Sequence, residues 1–336
     1  MNEPPLTIQD LGEVGLLQRL FRYCPPELVG DDAAIITVPP EQELVVSTDM
    51  LVDGVHFSDR TTSAEDVGWR AAAANLSDLA AMGATPIGLT IGLGLPPTLG
   101  VDWVEALYTG FSQCLQHYGG VILGGDVCRS SVVTVSVTVL GQVRPDQKLW
   151  RSGARPGQVI VATGVHGASR AGLELLQQPQ WGQDLSPLVR QALIQAHCRP
   201  QPRLDVLPYL RPFQAQGISV AGMDSSDGLA DAVVQICEAS GVGAQVWCDR
   251  IPMPPSFQET QSLNPEQALD WALYGGEDFE LILCLPADGA TTLVERLGND
   301  ATICGEVVAG SEVLLIGTSQ SSATTSLRRA QGYQHF

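Results

Sequence analysis

A chain of 336 residues is long enough for two domains of ordinary size, and 44% hydrophobic content with 35 dispersed glycines is a globular composition. A net charge of −19 repels both a nucleic-acid backbone and an anionic membrane face, which argues against either as a partner. Eight cysteines without a C-x-x-C pair point to reduced, mostly buried thiols rather than a disulfide frame or zinc site.

The opening stretch "MNEPPLTIQDLGEVGLL" has neither the basic nor the apolar region of a signal peptide, so a soluble, cytoplasmic protein is expected. Leu44-Val45-Val46 reads as a short buried strand, with Ser47, Thr48 and Asp49 at its end. Ser63 is placed to cap a helix through "AEDVGWRAAAANLSDLAAM", with Glu65 and Asp66 in its first turn and Gly83 and Pro86 beyond its end. The run "PIGLTIGLGLP" alternates strictly and predicts a strand with Ile87, Leu89, Ile91, Leu93 and Leu95 on one face and a nearly smooth opposite face. After a helix over "GVDWVEALYTGFSQCLQHYG" come two more strands, "GVILGGDV" and "SVVTVSVTVLGQV", the second setting valines against Thr134, Ser136 and Thr138. Such smooth or hydroxyl-bearing faces suit closure by a second sheet, as in a homodimer.

The turn-rich segment "KLWRSGARPGQ" marks the domain boundary, with a first domain of residues 1–149 and a second of 150–336. The second half continues with the strand "VIVATG", a helix start at "GVHGASRAGLELL", a polar insertion near 177–188, the strand "GISVAGMDSS", the helix "DGLADAVVQICEAS", and strands at "FELILCL" and "EVLLIG". The Ser/Thr-rich stretch from Thr318 to Ser326 reads as a loop. Strands alternating with helices in both halves predict two α/β domains.

Several short motifs share one grammar of apolar run, tight turn and carboxylate: "VGDDAAI" (Asp31, Asp32), "VVSTD" (Asp49), "ILGGD" (Asp126) and "SVAGMDSSDG" (Asp224, Asp227). Asn75 and Asp78 sit three apart on a helix that is otherwise almost all apolar. Any one Asp beside a Gly serves equally as a turn former or cap, and Asp227-Gly228 could open the helix that follows. Together, converging carboxylates repel one another unless a cation is bound, and oxygen ligands without a Cys or His cluster suit magnesium. Magnesium bridges carboxylates to phosphates, so a protein whose only lysine is Lys148 could still hold a polyphosphate such as a nucleoside triphosphate. No Walker-type G-x-x-x-x-G-K-[ST] loop is present; amides at Gly124-Gly125 and Gly164-Gly167 are further candidate anion contacts.

The succession "GDDAA", "STDMLVDGVHF", "NLSDLAAMGATP", "GGD", "RSGARPG", "HCRPQPR", "DSSDGL" and "GGEDFEL" resembles the thiamine-monophosphate kinase family, over nearly the whole chain from about Leu11 to Phe336. That family belongs to the superfamily of aminoimidazole-ribonucleotide synthetase. The resemblance implies its two-domain α/β fold, with N-terminal domains pairing their sheets across a homodimer. It also implies phosphorylation of thiamine monophosphate to thiamine diphosphate by ATP, in line, with several magnesium ions. Carried over by position, Asp32, Ser47, Thr48, Asp49, Asp78, Asp126, Asp224 and Asp227 would be metal ligands, with Asp31 adjacent. Gly125, Asp126, Arg151 and Ser226 would meet ATP, and His56 and Glu277 would meet thiamine monophosphate. Catalysis would fall chiefly to Asp49, Asp126 and Arg151 with the metal ions, and Asp53 would shape the turn into Gly54. An aromatic that covers thiamine in the family corresponds here to Ala330, leaving Tyr333 or Trp271 as substitutes.

Overall fold

A computed structural model describes residues 5–298, 301–317 and 324–329. Its contacts divide the chain into two compact units, Met1–Leu79 with Ala84–Pro145, and Ala80–Gly83 with Asp146–Phe336.

The first unit is built on strands β1 (Glu43–Val52), β2 (Thr85–Leu95), β3 (Val121–Arg129) and β4 (Thr134–Val143), in the spatial order β1-β4-β2-β3. β4 pairs antiparallel with both neighbours, whereas β2 and β3 are parallel. A parallel pair needs a crossover, and helix α3 (Val101–Tyr118) supplies it. Alternation sets the core: Leu89, Ile91 and Leu93 of β2 and Val135, Val137 and Val139 of β4 are almost fully buried. Ala71, Leu76 and Leu79 of α2 (Ala64–Ala81) and Val104, Leu107 and Phe111 of α3 are buried as well. Ser63 begins α2 as expected, its Oγ accepting from Asp66 N at 3.2 Å and donating to Asp66 Oδ2 at 2.7 Å. The two helices touch through glycine. A Cβ at Gly68 would stand 1.9 Å from Leu107 O, and one at Gly110 would stand 1.8 Å from Glu65 O.

The other face of this sheet is formed by Leu44, Val46, Thr48 and Met50 of β1, Ser136 and Thr138 of β4, Gly92 and Gly94 of β2, and Asp126 and Cys128 of β3, as the cross-strand register requires. Leu44, Val46 and Met50 are about half exposed there, at 49%, 55% and 53%. This corrects the expectation for β1. The strand continues to Val52, so Ser47, Thr48 and Asp49 lie within it, and it is a sheet edge rather than a buried strand. An edge strand with one uncovered face tolerates polar residues at a central position, so their polarity does not mark the strand's end.

The second unit carries a seven-stranded sheet in the order β11-β10-β7-β9-β5-β8-β6. In chain order these strands are β5 (Val159–Ala162), β6 (Ala221–Asp224), β7 (Gly243–Trp247), β8 (Leu281–Leu285), β9 (Thr302–Val308), β10 (Val313–Ile316) and β11 (Thr324–Ser326). Both faces are covered, which is why every residue of β8 is buried. Ile160, Ala162, Ile282 and Cys284 pack with Leu229, Val233 and Ile236 of α7 (Leu229–Ser240). On the opposite side Val161, Leu281, Leu283 and Leu285 meet Leu207 and Leu210 of α6 (Leu207–Ala215) and Ala290 and Leu293 of α9 (Ala287–Leu297). β11 overturns the loop expected through Ser326: Thr324, Thr325 and Ser326 pair antiparallel with β10, where extended, β-branched threonines suit a sheet edge. Of the eight cysteines five are buried, and Cys128 is exposed. No helix among the described residues is long and apolar enough to cross a membrane.

Candidate active site

In the first unit, β1 and α2 bring two predicted ligands together: Ser47 Oγ donates to Asp78 Oδ2 at 2.5 Å. Asp49 lies two residues along β1 on the same strand face as Ser47. Thr48 faces the other way, its Oγ1 2.9 Å from Thr138 Oγ1. Asn75, one turn before Asp78, is fully buried; its Nδ2 donates to Ala71 O at 2.9 Å, and its Oδ1 has no hydrogen-bond partner among the described residues. Asp31 and Asp32 are exposed in an irregular stretch before β1, and neither makes a hydrogen bond or ion pair among the described residues.

Asp126 is exposed on β3 and is likewise without a partner among the described residues. Its register matters. Asp49 aligns with Val137, Ile91 and Gly125 in turn, so Asp126 is at the opposite edge of the sheet and on the opposite face. Three strand spacings are roughly 14 Å. Gly125 has a local reason to be glycine, because a Cβ there would stand 2.0 Å from Ile91 O.

After β1 the chain turns at Gly54, whose φ of +80° a side chain would resist. Gly54 N donates to Phe57 O at 2.8 Å, and Asp53 belongs to this turn, as expected. His56 closes it: Val52 N donates to His56 Nδ1 at 3.1 Å, which makes Nδ1 the acceptor and puts the proton of the neutral ring on Nε2.

In the second unit Asp224, Ser226, Asp227 and Glu277 gather at one end of the sheet, where β5 and β6 finish and β8 begins. Asp224 ends β6 at 3% exposure. Glu277 N donates to Ser226 O at 2.7 Å, and Ser225 N donates to Glu280 O at 2.8 Å, so the loops carrying Asp224, Ser226, Asp227 and Glu277 lie side by side. Asp227 does not cap α7. That position belongs to Gly228, at φ +103°, where a Cβ would meet Leu273 O at 2.5 Å.

The loop "GGEDFEL" is held from several directions by residues to which the sequence alone assigns no role. Glu277 and Phe279 both take positive φ, +58° and +52°, a left-handed backbone that non-glycine residues adopt at a cost. Between them Asp278 turns inward, accepting from Gly167 N at 2.7 Å and Ser169 N at 2.9 Å at the start of α4 (Ala168–Gln177). Burial of the Asp278 carboxyl pushes its pKa up to about 7, outweighing the pull of those two amides. The Gly167 amide is one of the candidate anion contacts, and the protein's own carboxylate occupies it. Glu280 accepts from Thr163 Oγ1 at 2.6 Å and pairs with Arg203, whose Nη1 also donates to Thr163 O at 2.7 Å. His197, on α5 (Pro187–Cys198), has its Nδ1 3.1 Å from Ser169 Oγ and 3.7 Å from Glu277 Oε2. Both His197 and Arg203 come from "HCRPQPR", a motif visible in the sequence although its purpose lies in contacts some 80 residues away. Beneath them His166 is fully buried between Gly164 O and Ser225 Oγ, and burial lowers its pKa to about 4.

Arg151 extends its Nη1 to Gln235 Oε1 at 2.6 Å. Trp271 is not available to stack on a ligand: it is 5% exposed and packs against Trp181 and Phe257 in a core cluster. Ala330 and Tyr333 lie outside the described residues. Among the described residues, no three His, Cys, Asp or Glu side chains group as a metal site. The oxygen donors are thus spread over both faces of the sheet and the stretch before it in one unit, and over a loop pair in the other.

A family model described as AIR synthase related protein, N-terminal domain, matches residues 30–143, and its C-terminal counterpart matches 155–317. The chain is 48% identical over 332 residues to the thiamine-monophosphate kinase of Synechococcus elongatus, covering 98% of each. It is 36% identical over 336 residues to that of Escherichia coli K12, covering 97% of this chain and 98% of the relative. Among solved structures, thiamine-monophosphate kinase from Stenotrophomonas maltophilia K279a superposes with a TM-score of 0.77 at 35% identity, over 88% of this chain and 90% of that one. AaThiL complexed with AMPPCP and TMP gives 0.71 at 31%, over 96% and 99%. The hydrogenase maturation protein HypE of E. coli shares the fold alone, with a TM-score of 0.74 at 20% identity over 94% and 98%.

Proposed function

The chain belongs to the thiamine-monophosphate kinases of the AIR synthase related family, and we propose that it phosphorylates thiamine monophosphate with ATP to give thiamine diphosphate by direct in-line transfer assisted by magnesium. The observation that carries the reaction is identity of 48% along 98% of a thiamine-monophosphate kinase. In this reading residues 1–149 form the ATP, metal and dimerisation domain and 150–336 the C-terminal domain, in a cytoplasmic enzyme.

The donor chemistry fits a hard cation. Ser47, Asp49 and Asp78 offer only oxygen, share one side of β1, and two of them already touch. They, with Thr48, Asp32, Asp126, Asp224 and Asp227, would hold magnesium, which when bound neutralises phosphate charge. The acceptor is an ionised phosphate oxygen that needs no strong base, so the protein's own task is to position it and the donor. Arg151 and Ser226 would contact ATP with Gly125 and Asp126. His56, donating from Nε2, would contact the monophosphate, and Glu277 would face the cationic thiamine rings.

Asp49 and Asp126 constrain the assembly. One ion cannot be bound by both side chains within a single copy, at opposite edges and on opposite faces of the sheet. The reading includes a homodimer, and the half-exposed Leu44, Val46 and Met50 are the apolar surface that a second copy closing over the open sheet face would cover.

The test is to supply purified protein, ATP and magnesium with thiamine monophosphate or free thiamine, and to follow thiamine diphosphate. Product is expected from the monophosphate alone. No product from it, with ATP still bound, would sink the kinase reading.

A further inference from the structure

Arg151 is held through a chain of side chains on α7 that none of the roles above uses. Arg151 Nη1 donates to Gln235 Oε1 at 2.6 Å, and Gln235 Nε2 donates to Asp231 Oδ2 at 2.5 Å. The second oxygen of Asp231, Oδ1, accepts from Arg329 Nε at 3.0 Å. Asp231 and Gln235 stand four apart on the helix and so share a face. Asp231 is 7% exposed, and Arg329 also reaches Glu238 at 3.9 Å.

Polarity fixes the order of this chain. A carboxylate only accepts, so Gln235 must turn its amide hydrogens to Asp231 and its carbonyl to Arg151. The charge of Asp231 is matched by Arg329, while Arg151 is restrained by a neutral oxygen and pairs with no carboxylate among the described residues. One of the five guanidinium N–H donors is occupied, and the rest of the fork, with its full charge, remains for an anion.

We propose that Gln235 is a positioning residue that aims Arg151 at the phosphates of ATP without neutralising it. The inference rests on the reading of Arg151 as an ATP contact. A carboxylate at position 235 would keep the reach to Arg151 but compete with the nucleotide for its charge. It would also lie against Asp231, which favours its protonation as pH falls.

The experiment measures initial rates of the full-length enzyme against ATP and against thiamine monophosphate for Arg151→Met, Gln235→Glu and Gln235→Met, with folding checked by circular dichroism. Arg151→Met and Gln235→Glu are expected to raise the KM for ATP by about tenfold, the scale of one charge-assisted hydrogen bond, while the KM for thiamine monophosphate stays put. The Gln235→Glu defect should shrink toward lower pH as the introduced carboxyl protonates, and Gln235→Met should show a smaller, pH-independent rise. An ATP KM raised by Arg151→Met but unchanged in both Gln235 variants overturns the inference and leaves the ATP reading intact. An unchanged ATP KM in Arg151→Met overturns both. Should Gln235→Glu fail to fold, Gln235→Met decides alone: a wild-type ATP KM counts against the proposal and a raised one for it.

Discussion

Asp126 and Asp278 follow glycine pairs that look alike on the page, "GGD" and "GGED", yet they lead opposite lives. Asp126 is exposed on a sheet edge and has no partner among the described residues. Asp278 is drawn inward onto two amides of α4, and its neighbour Glu280 is clamped by Thr163 and Arg203. The difference separates carboxylates that can bind a ligand from those that build the loop presenting it. An acidic protein needs both, because loops full of carboxylates fly apart unless some are internally satisfied.

The contrast is broken most severely on the ligand side. Asp126→Asn and Asp49→Asn should each lower kcat by about a hundredfold or more at saturating magnesium, on the scale of losing a charge-stabilising group, with an unchanged melting temperature. Normal turnover in both variants would remove them from the metal-binding set. On the structural side the ordering reverses. Arg203→Ala leaves Glu280 without its cation and should cost about 3 kcal/mol in urea unfolding, the penalty of orphaning a mostly buried charge. A loss no larger than that of a surface substitution would show that Thr163 suffices.

Smaller effects sharpen the same line. Asp278→Ala removes a carboxylate from the start of α4 and should cost about 1 kcal/mol, with a higher KM for thiamine monophosphate than for wild type. The pH dependence has a definite sign. The folded carboxyl holds its proton up to about pH 7 and the unfolded one releases it in the ordinary carboxylate range, so this group stabilises the fold at low pH. Its contribution falls as pH rises toward about 7, and Asp278→Asn should flatten that slope in unfolding measurements between pH 4 and 7. An identical slope in the variant would assign the dependence to other groups. Least of all, Glu277→Gly should relieve the left-handed backbone at φ +58° and stabilise by about 1 kcal/mol while weakening thiamine monophosphate binding. A destabilised Glu277→Gly would mean that side-chain contacts outweigh the strain.

How much of this was legible in the sequence depended on the range of the interaction. Alternation in "PIGLTIGLGLP" and "SVVTVSVTVLGQV" located β2 and β4 and their smooth faces, and Ser63 marked the start of α2, because these signals are local. The extent of β1 was not legible. Ser47, Thr48 and Asp49 look like the end of a strand unless its edge position is known, and that position depends on β4, some 90 residues away. Thr324–Ser326 misled for a related reason, since a short polar strand acquires meaning only from the β10 partner that pairs with it. Asp49, Asp126 and Glu277 are proposed for the site on motif resemblance, while the contacts of Asp278, Arg203, His197 and Gln235 emerge only in three dimensions. The separation of Asp49 and Asp126 onto opposite faces is a matter of strand register, which no motif encodes.

Cys128 shares the open sheet face with Asp126, two residues along β3, and its thiol is the exposed one among the eight cysteines. The molecule thus carries its own chemical stopwatch. Because a second copy closing over that face would screen the sulfur, its alkylation rate should slow as protein concentration rises, reporting assembly on the very strand that bears Asp126 without any label being engineered in.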